Sequence, residues 1–280
     1  MKFRTFGAIA GLILAGAASA PAFAVPPGVA GQPGSYADGA LATAVRSPQR
    51  SPKNVARDQY RHPRESLSFW GLRPGMTVLE IWPGGGYWTE ILAPYAKATG
   101  GTYIAALPAA SPPLPARFSD KAVYGAIATT VFNDKSGPLA APGTADWVLT
   151  SRNIHDWMDT PGMPEKAFAD FYAALKPGGI LAVEQHRADP RPMVKEASDG
   201  YVSTAYVVKL AEDVGFKLDA QSEINANPKD TKDYLFGVWT LPPTRQSAPS
   251  GQPPNPAFDH TKYDAIGESD RMTLRFKKPG

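Results

Sequence analysis

The 280-residue chain has no cysteine. That absence excludes disulfides, thiolate nucleophiles, thiolate-bound metals and a lipid-anchored cysteine near the N-terminus, so any exported form is held by its core alone. There is no run of basic residues of the kind that tracks nucleic acid, and the net charge is only +3, which argues against a nucleic-acid partner. Beyond the first residues no apolar stretch is long enough to span a bilayer, and no internal repeat of the solenoid kind occurs. Two phosphate-loop signatures are missing as well: G-x-G-x-x-G, and a glycine loop followed by Lys-Ser or Lys-Thr.

What is present begins with "MKFRTFGAIAGLILAGAASAPAFAV". Lys2 and Arg4 precede an apolar stretch, Gly7–Ala18, and Ala22-Phe23-Ala24 forms an A-x-A cleavage site. Residues 1–24 are therefore expected to be a cleaved signal peptide. The mature protein is expected in the periplasm or secreted, with no stable membrane insertion. Residues 25–53 are rich in Pro, Gly, Ala and Ser and read as a flexible leader. Residues 54–280 read as one domain carrying a Pro-rich excursion at about 242–262.

Within that domain short apolar strands alternate with helical patterns. Strands are expected at Thr77–Ile81, Thr102–Ala106, Ile127–Phe132, Trp147–Thr150, Ile180–Glu184, Lys217–Ile224 and in the closing "RMTLRFKKP". Helices are expected with Pro63 in a first turn, over "PEKAFADFYAAL", and near Thr204–Val214. This grammar predicts an α/β fold: a mostly parallel seven-stranded sheet with helices on both faces.

The first strand leads into "VLEIWPGGGYWTEIL". In an open parallel sheet, ligands bind beyond the carboxyl ends of the strands, where strand order reverses. Gly84, Gly85 and Gly86 would let backbone approach a ligand there, ahead of the positive end of the next helix. Glu80 could orient the loop or accept from a ligand's amine. A tight structural turn between strand and helix is the alternative.

"EIWPGGG", "ADWVLTSRNIHDW" and "LKPGGILAVEQHR" follow the order of class I S-adenosylmethionine-dependent methyltransferase motifs. With "RHPRESLSFWGLRPGMTVLEIWPGGGYWTEILAPY", "NPKDTKDYLFGVWTLPP" and "IGESDRMTLRFKKP", the chain from Asn54 to Pro279 resembles a family of exported bacterial proteins described as predicted methyltransferases. The resemblance implies a Rossmann-like class I methyltransferase fold, S-adenosylmethionine as cofactor and a small-molecule acceptor. On that resemblance Glu80, Trp82, Gly84, Gly85, Gly86, Asp134 and Asn153 would contact the cofactor. Two departures stand out. Trp82 takes the place of the first glycine, where its ring could stack on a ligand or fill the site. At the end of the second strand, "TYIAALPAAS" has no acid to hold ribose hydroxyls.

Other residues fall at the same sheet edge. Asn153, His155 and Asp156 follow the fourth strand, and His155 could remove a proton from an acceptor. His186 ends the fifth strand. Catalytic roles are assigned to His155, Asn153 and His186. The two histidines, with Asp156 or Glu184, could also hold a metal, but their spacing does not demand one, and no metal is expected. Asn133-Asp134 reads equally well as an ordinary turn. Arg61-His62 could fold over the site. Asn225, Asn227, Asp230 and Lys232 could form a lid, and the charges of Gly267–Arg271 could pair among themselves. The expected function is methyl transfer from S-adenosylmethionine to a small acceptor. The rivals are a non-catalytic binding protein on the same fold and, behind it, a nicotinamide-dependent dehydrogenase.

Overall fold

A computed structural model of the protein describes residues 38–108 and 114–280. The expected signal peptide, residues 1–24, and the first part of the expected leader lie outside the described residues. Seven strands form one sheet: β1 (Thr77–Ile81), β2 (Thr102–Leu107), β3 (Ile127–Val131), β4 (Ala145–Ser151), β5 (Leu175–His186), β6 (Lys217–Ser222) and β7 (Arg271–Lys277). Their order is β3-β2-β1-β4-β5-β7-β6. The first five run parallel, and β7 runs antiparallel to both neighbours.

Both sheet faces are buried, and the middle of β1 (Val78, Leu79) and of β4 (Trp147–Leu149) is apolar on both faces. Val78 and Trp147 pack on one face with Trp88, Ile91 and Tyr103, while Leu79 and Val148 pack on the other with Phe168 and Phe171. The covering helices include Pro63–Phe69, Thr89–Thr99, Met163–Ala174 and Thr204–Asp213. Pro63 begins the first of these, with Glu65 in its first turn, as the pattern predicts. The Lys176–Gly179 turn is a bulge inside β5: β4 pairs Ala145 with Leu175 and then Trp147 with Ile180.

The expected leader needs correction over its second half. Gly39–Val45 is a helix whose N-terminus is capped by the Asp38 carboxylate, which accepts from the Ala40 and Leu41 N–H groups. Leu41 and Ala44 are buried beside Leu92 and Tyr95 of the Thr89–Thr99 helix. Further on, Ser51 Oγ donates to Glu90 Oε1 at 2.8 Å and Arg50 grips Asp58 bidentately. The folded domain therefore includes residues from Asp38 onward. Only Leu41 and Ala44 of the short helix are fully buried, too few to stand out in a Pro- and Gly-rich composition.

Strand order reverses between β1 and β4. The carboxyl ends of these two strands are joined across the reversal by Asn153, whose amide Nδ2 donates to Ile81 O at 2.7 Å. The ligand crevice of a doubly wound sheet lies at this point.

Candidate functional site

A cavity of about 500 Å³ opens at the reversal. Its walls come from the β1 turn (Trp82–Gly85), the β4 turn (Ser151–Asp156), and the N-terminal residues Lys53, Asn54 and Arg57. His186, Glu268 and Ser269 line a third side, and Trp239, Pro242 and Pro243 form a roof. The Pro-rich excursion thus contributes to the cavity wall.

Two residues at the reversal carry strained backbone. Trp82 after β1 has φ 45° and Arg152 after β4 has φ 61°, a left-handed conformation that costs a non-glycine residue about 1–3 kcal/mol and concentrates at functional sites.

Glu80 is buried at the end of β1. Its Oε2 accepts from Thr89 Oγ1 at 3.0 Å and from Tyr103 OH at 2.5 Å. Burial pushes its pKa up to about 7, partly offset by the Tyr103 and Thr89 hydroxyls. The carboxyl thus ties β1 to β2 and to the helix that follows the glycine turn. Of the three glycines, Gly84 and Gly85 face the cavity, and a Cβ on Gly85 would meet open space. Gly86 does not face it: a Cβ there would run into the Phe118 ring, and its φ is +80°. Gly86 makes room for Phe118, which corrects the expectation of a ligand contact.

Trp82 fills space. Its Nε1 donates to Phe132 O at 2.9 Å, and its ring packs edge-on against Phe132 and Trp157. The indole thereby ties the end of β1 to the residue that follows β3. Asp134 lies beyond it, exposed and outside the cavity. Asn133 Oδ1 accepts from Lys135 N, so Asn133-Asp134 is the ordinary turn, and the cofactor contact expected for Asp134 is corrected.

His155 and His186 do come together, with ring centroids 5.3 Å apart. His155 is buried, and Gln185 Nε2 approaches its Nδ1 at 2.9 Å. The Gln185 amide orientation is fixed independently: its Oε1 accepts from Ile154 N, a group that only donates. The amide NH₂ therefore faces Nδ1, which accepts, and the ring proton sits on Nε2, 3.3 Å from Asp156 Oδ1. Burial lowers the His155 pKa, against the pull of Asp156, so the ring stays neutral. With Nδ1 engaged and Nε2 protonated, His155 has no free lone pair with which to act as a base. Asp156, raised by burial, is the group at the rim that can accept a proton. His186 is held well below the ordinary histidine range by burial and by His155, and its Nδ1 bonds Ser269 Oγ. Asn153 spends its NH₂ on Ile81 O and Thr150 Oγ1.

A buried charge network lies at and behind the cavity wall; the expected pairing within Gly267–Arg271 is present as Glu268–Arg271, but its extension to Arg57 and Arg61 has no local signal in the sequence. Glu268 pairs with Arg57 Nε (2.5 Å), Arg61 Nε (2.9 Å) and Arg271 Nη1 (2.9 Å). Although burial alone would raise the Glu268 pKa, Arg61, Arg271 and Arg57 hold it far below the carboxylate range. Arg271 also reaches Glu184 Oε1 at 3.1 Å. Tyr87 stacks under Arg61, whose guanidinium carbon lies 4.5 Å from the ring centre. The Asn225–Lys232 patch is a set of rivets, not a lid: Asn225 bonds Ser66 and Thr273, Asp230 takes the Tyr201 hydroxyl, and Lys232 pairs with Asp270. Among the described residues, no group of three or more His, Asp or Glu is placed to hold a metal.

The fold is the Rossmann-like class I methyltransferase fold. The chain is similar to the (4+2)-cyclase SpnF at 12% identity, over 81% of this chain and 80% of that one, with a TM-score of 0.50. It is also similar to a TehB-like SAM-dependent methyltransferase from Corynebacterium glutamicum, at 13% identity over 80% and 98% of the two chains, TM-score 0.43. A third is an S-adenosylmethionine-dependent methyltransferase from Mesorhizobium loti, at 14% identity over 73% and 92%, TM-score 0.45. At such identities the likeness shows the fold alone. No family model and no curated protein sequence matches the chain.

Proposed function

We propose that the protein binds S-adenosylmethionine in the crevice and transfers its methyl group to a small acceptor. The observation that carries this is the cavity at the β1/β4 reversal, bounded by Gly84 and Gly85 on one side and by Asn153 and Asp156 on the other. The methionine end of the cofactor fits there: Gly85 has open space before it, and Glu80 holds the turn from behind. The nucleoside end is covered by the Trp82 indole, which has to leave Phe132 O for a nucleoside to lie across β2.

When bound, S-adenosylmethionine supplies an electrophilic methyl on a sulfonium. The chain's own part is alignment and removal of one proton. Asp156 takes that proton, and His155, held by Gln185, aims the carboxylate through its Nε2–H. Asn153 keeps the two strand ends in register.

A second reading, a binding protein that uses no cofactor, is favoured by the Trp82 ring itself. Fold does not fix function. Calorimetric titration with S-adenosylmethionine decides between them: wild type is expected to bind, and Trp82→Ala to bind tighter. No binding by either favours the second reading. We also propose export, on residues 1–24; N-terminal sequencing of periplasmic protein should begin at Val25, and an intact Met1 would contradict it.

A further inference from the structure

The charges around the cavity do not balance. Arg57, Arg61, Arg152 and Arg271 are set against two buried carboxylates, Glu184 and Glu268. At the rim Lys53 and Asp156 offset one another. The other titratable groups facing this space do not close the gap. His155 and His186 are kept uncharged by burial, and Glu80 is pushed up to about 7 by burial. The Tyr87 hydroxyl is spent on Asp58, itself paired with Arg50. Guanidinium does not deprotonate in ordinary conditions, so roughly two positive charges stand in a poorly solvated place without counter-charge.

The surplus centres on Arg152. Its guanidinium lines the cavity and makes no hydrogen bond or ion pair with the described residues, and its Nε is fully buried without a partner. Terminal nitrogens of Arg57 and Arg61 are buried and unpartnered as well. Buried polar groups are nearly always satisfied, so the orphaned nitrogens of Arg152 and Arg57, both lining the cavity, call for a missing partner, while Arg61 lies behind them. Backbone strain at Arg152 is consistent with a side chain held for a ligand. Burial lowers its pKa to about 9, a discomfort that a bound anion would relieve. S-adenosylmethionine brings one carboxylate but also an ammonium and a sulfonium, so it adds no net negative charge and leaves the surplus uncompensated. Trp88, Trp239, Pro242 and Pro243 offer flat apolar walls, suited to a planar body.

We infer that the cavity takes a small planar acid, a carboxylate or a phosphate monoester, whose oxyanion is bidentate on Arg152. Calling that acid the methyl acceptor rests on the function proposed above; its binding does not.

The test is calorimetric titration of the full mature chain with benzoate and with phenyl phosphate, in wild type and Arg152→Gln, with S-adenosylmethionine titrated in parallel. Saturable one-site binding of either probe, weakened tenfold or more in Arg152→Gln, is the expected result; whichever probe binds tighter names the carboxylate or the phosphate source. Because Arg152 has no protein partner to lose, Arg152→Gln should also melt at or above the wild-type temperature, and the probe should raise the melting temperature of wild type only. Binding of neither probe, or equal binding by the variant, overturns the inference. Probe binding through Arg152 without S-adenosylmethionine binding overturns the cofactor reading and leaves this one standing.

Discussion

Gln185 donates to His155 Nδ1 across 2.9 Å while its own carbonyl is held by the Ile154 N–H. That arrangement decides which nitrogen of His155 carries the proton. The ring is an Nε2–H donor to Asp156, the geometry that the proposed proton transfer to this carboxylate requires. Nitrogen-15 spectra of the histidine rings should find His155 neutral at pH 7 with its proton on Nε2. In Gln185→Glu the new carboxylate would draw the proton to Nδ1 and raise the pKa. A wild-type ring protonated on Nδ1 would remove the argument for Asp156.

Glu80 makes a prediction about pH. Its folded pKa, about 7, is above the 4.5 of the unfolded chain, so the folded state binds the extra proton. The contribution is fully present below pH 4.5 and is lost as pH rises through 7. Glu80→Gln keeps an acceptor for the Tyr103 hydroxyl but cannot ionise. The stability of wild type relative to Glu80→Gln, from urea unfolding, should fall between pH 5 and pH 8, by at most about 3 kcal/mol. His155 and His186 act in the opposite sense in both proteins, with stability lost below about pH 6.5 as buried neutral rings are forced to charge; taking the difference removes them. A difference that does not vary with pH would show Glu80 ionised throughout.

Glu268 is the counter-charge for three arginines. Glu268→Ala leaves those guanidiniums buried and unpaired, and the expected loss is about 3–5 kcal/mol in chemical unfolding. Sodium chloride should recover little of it, since the site is largely closed to solvent. A loss below about 1 kcal/mol would mean that the network is as weak as a surface ion pair.

The sheet was legible because its central parallel strands carry short apolar runs between turn residues, and Thr77–Ile81 and Thr102–Leu107 pair in the expected sense. The mouth of the crevice followed, since Gly84, Gly85, Asn153, His155 and His186 all sit at strand ends. The rest depended on distance in the chain. Arg57 and Glu268 are 211 positions apart, and no local pattern links them. Asp134 and Gly86 fall outside the cavity lining, and the Phe118 ring that occupies the space before Gly86 has no periodic signature in the sequence. His155 looked like a base until Gln185, thirty positions on in β5, fixed its tautomer.

The central claim is that S-adenosylmethionine lies against the Gly84–Gly85 turn. Gly85 is the position to test, because a Cβ there meets no protein and its backbone lies outside the left-handed region of Gly84 and Gly86, in which a side chain would be strained. Calorimetric titration of S-adenosylmethionine into wild type and Gly85→Val, with both melting curves recorded, is the direct measurement. The account predicts saturable one-site binding in wild type, a loss of tenfold or more in affinity in Gly85→Val, and little change in melting temperature. Equal affinity in the two proteins, or no binding by wild type, would contradict it.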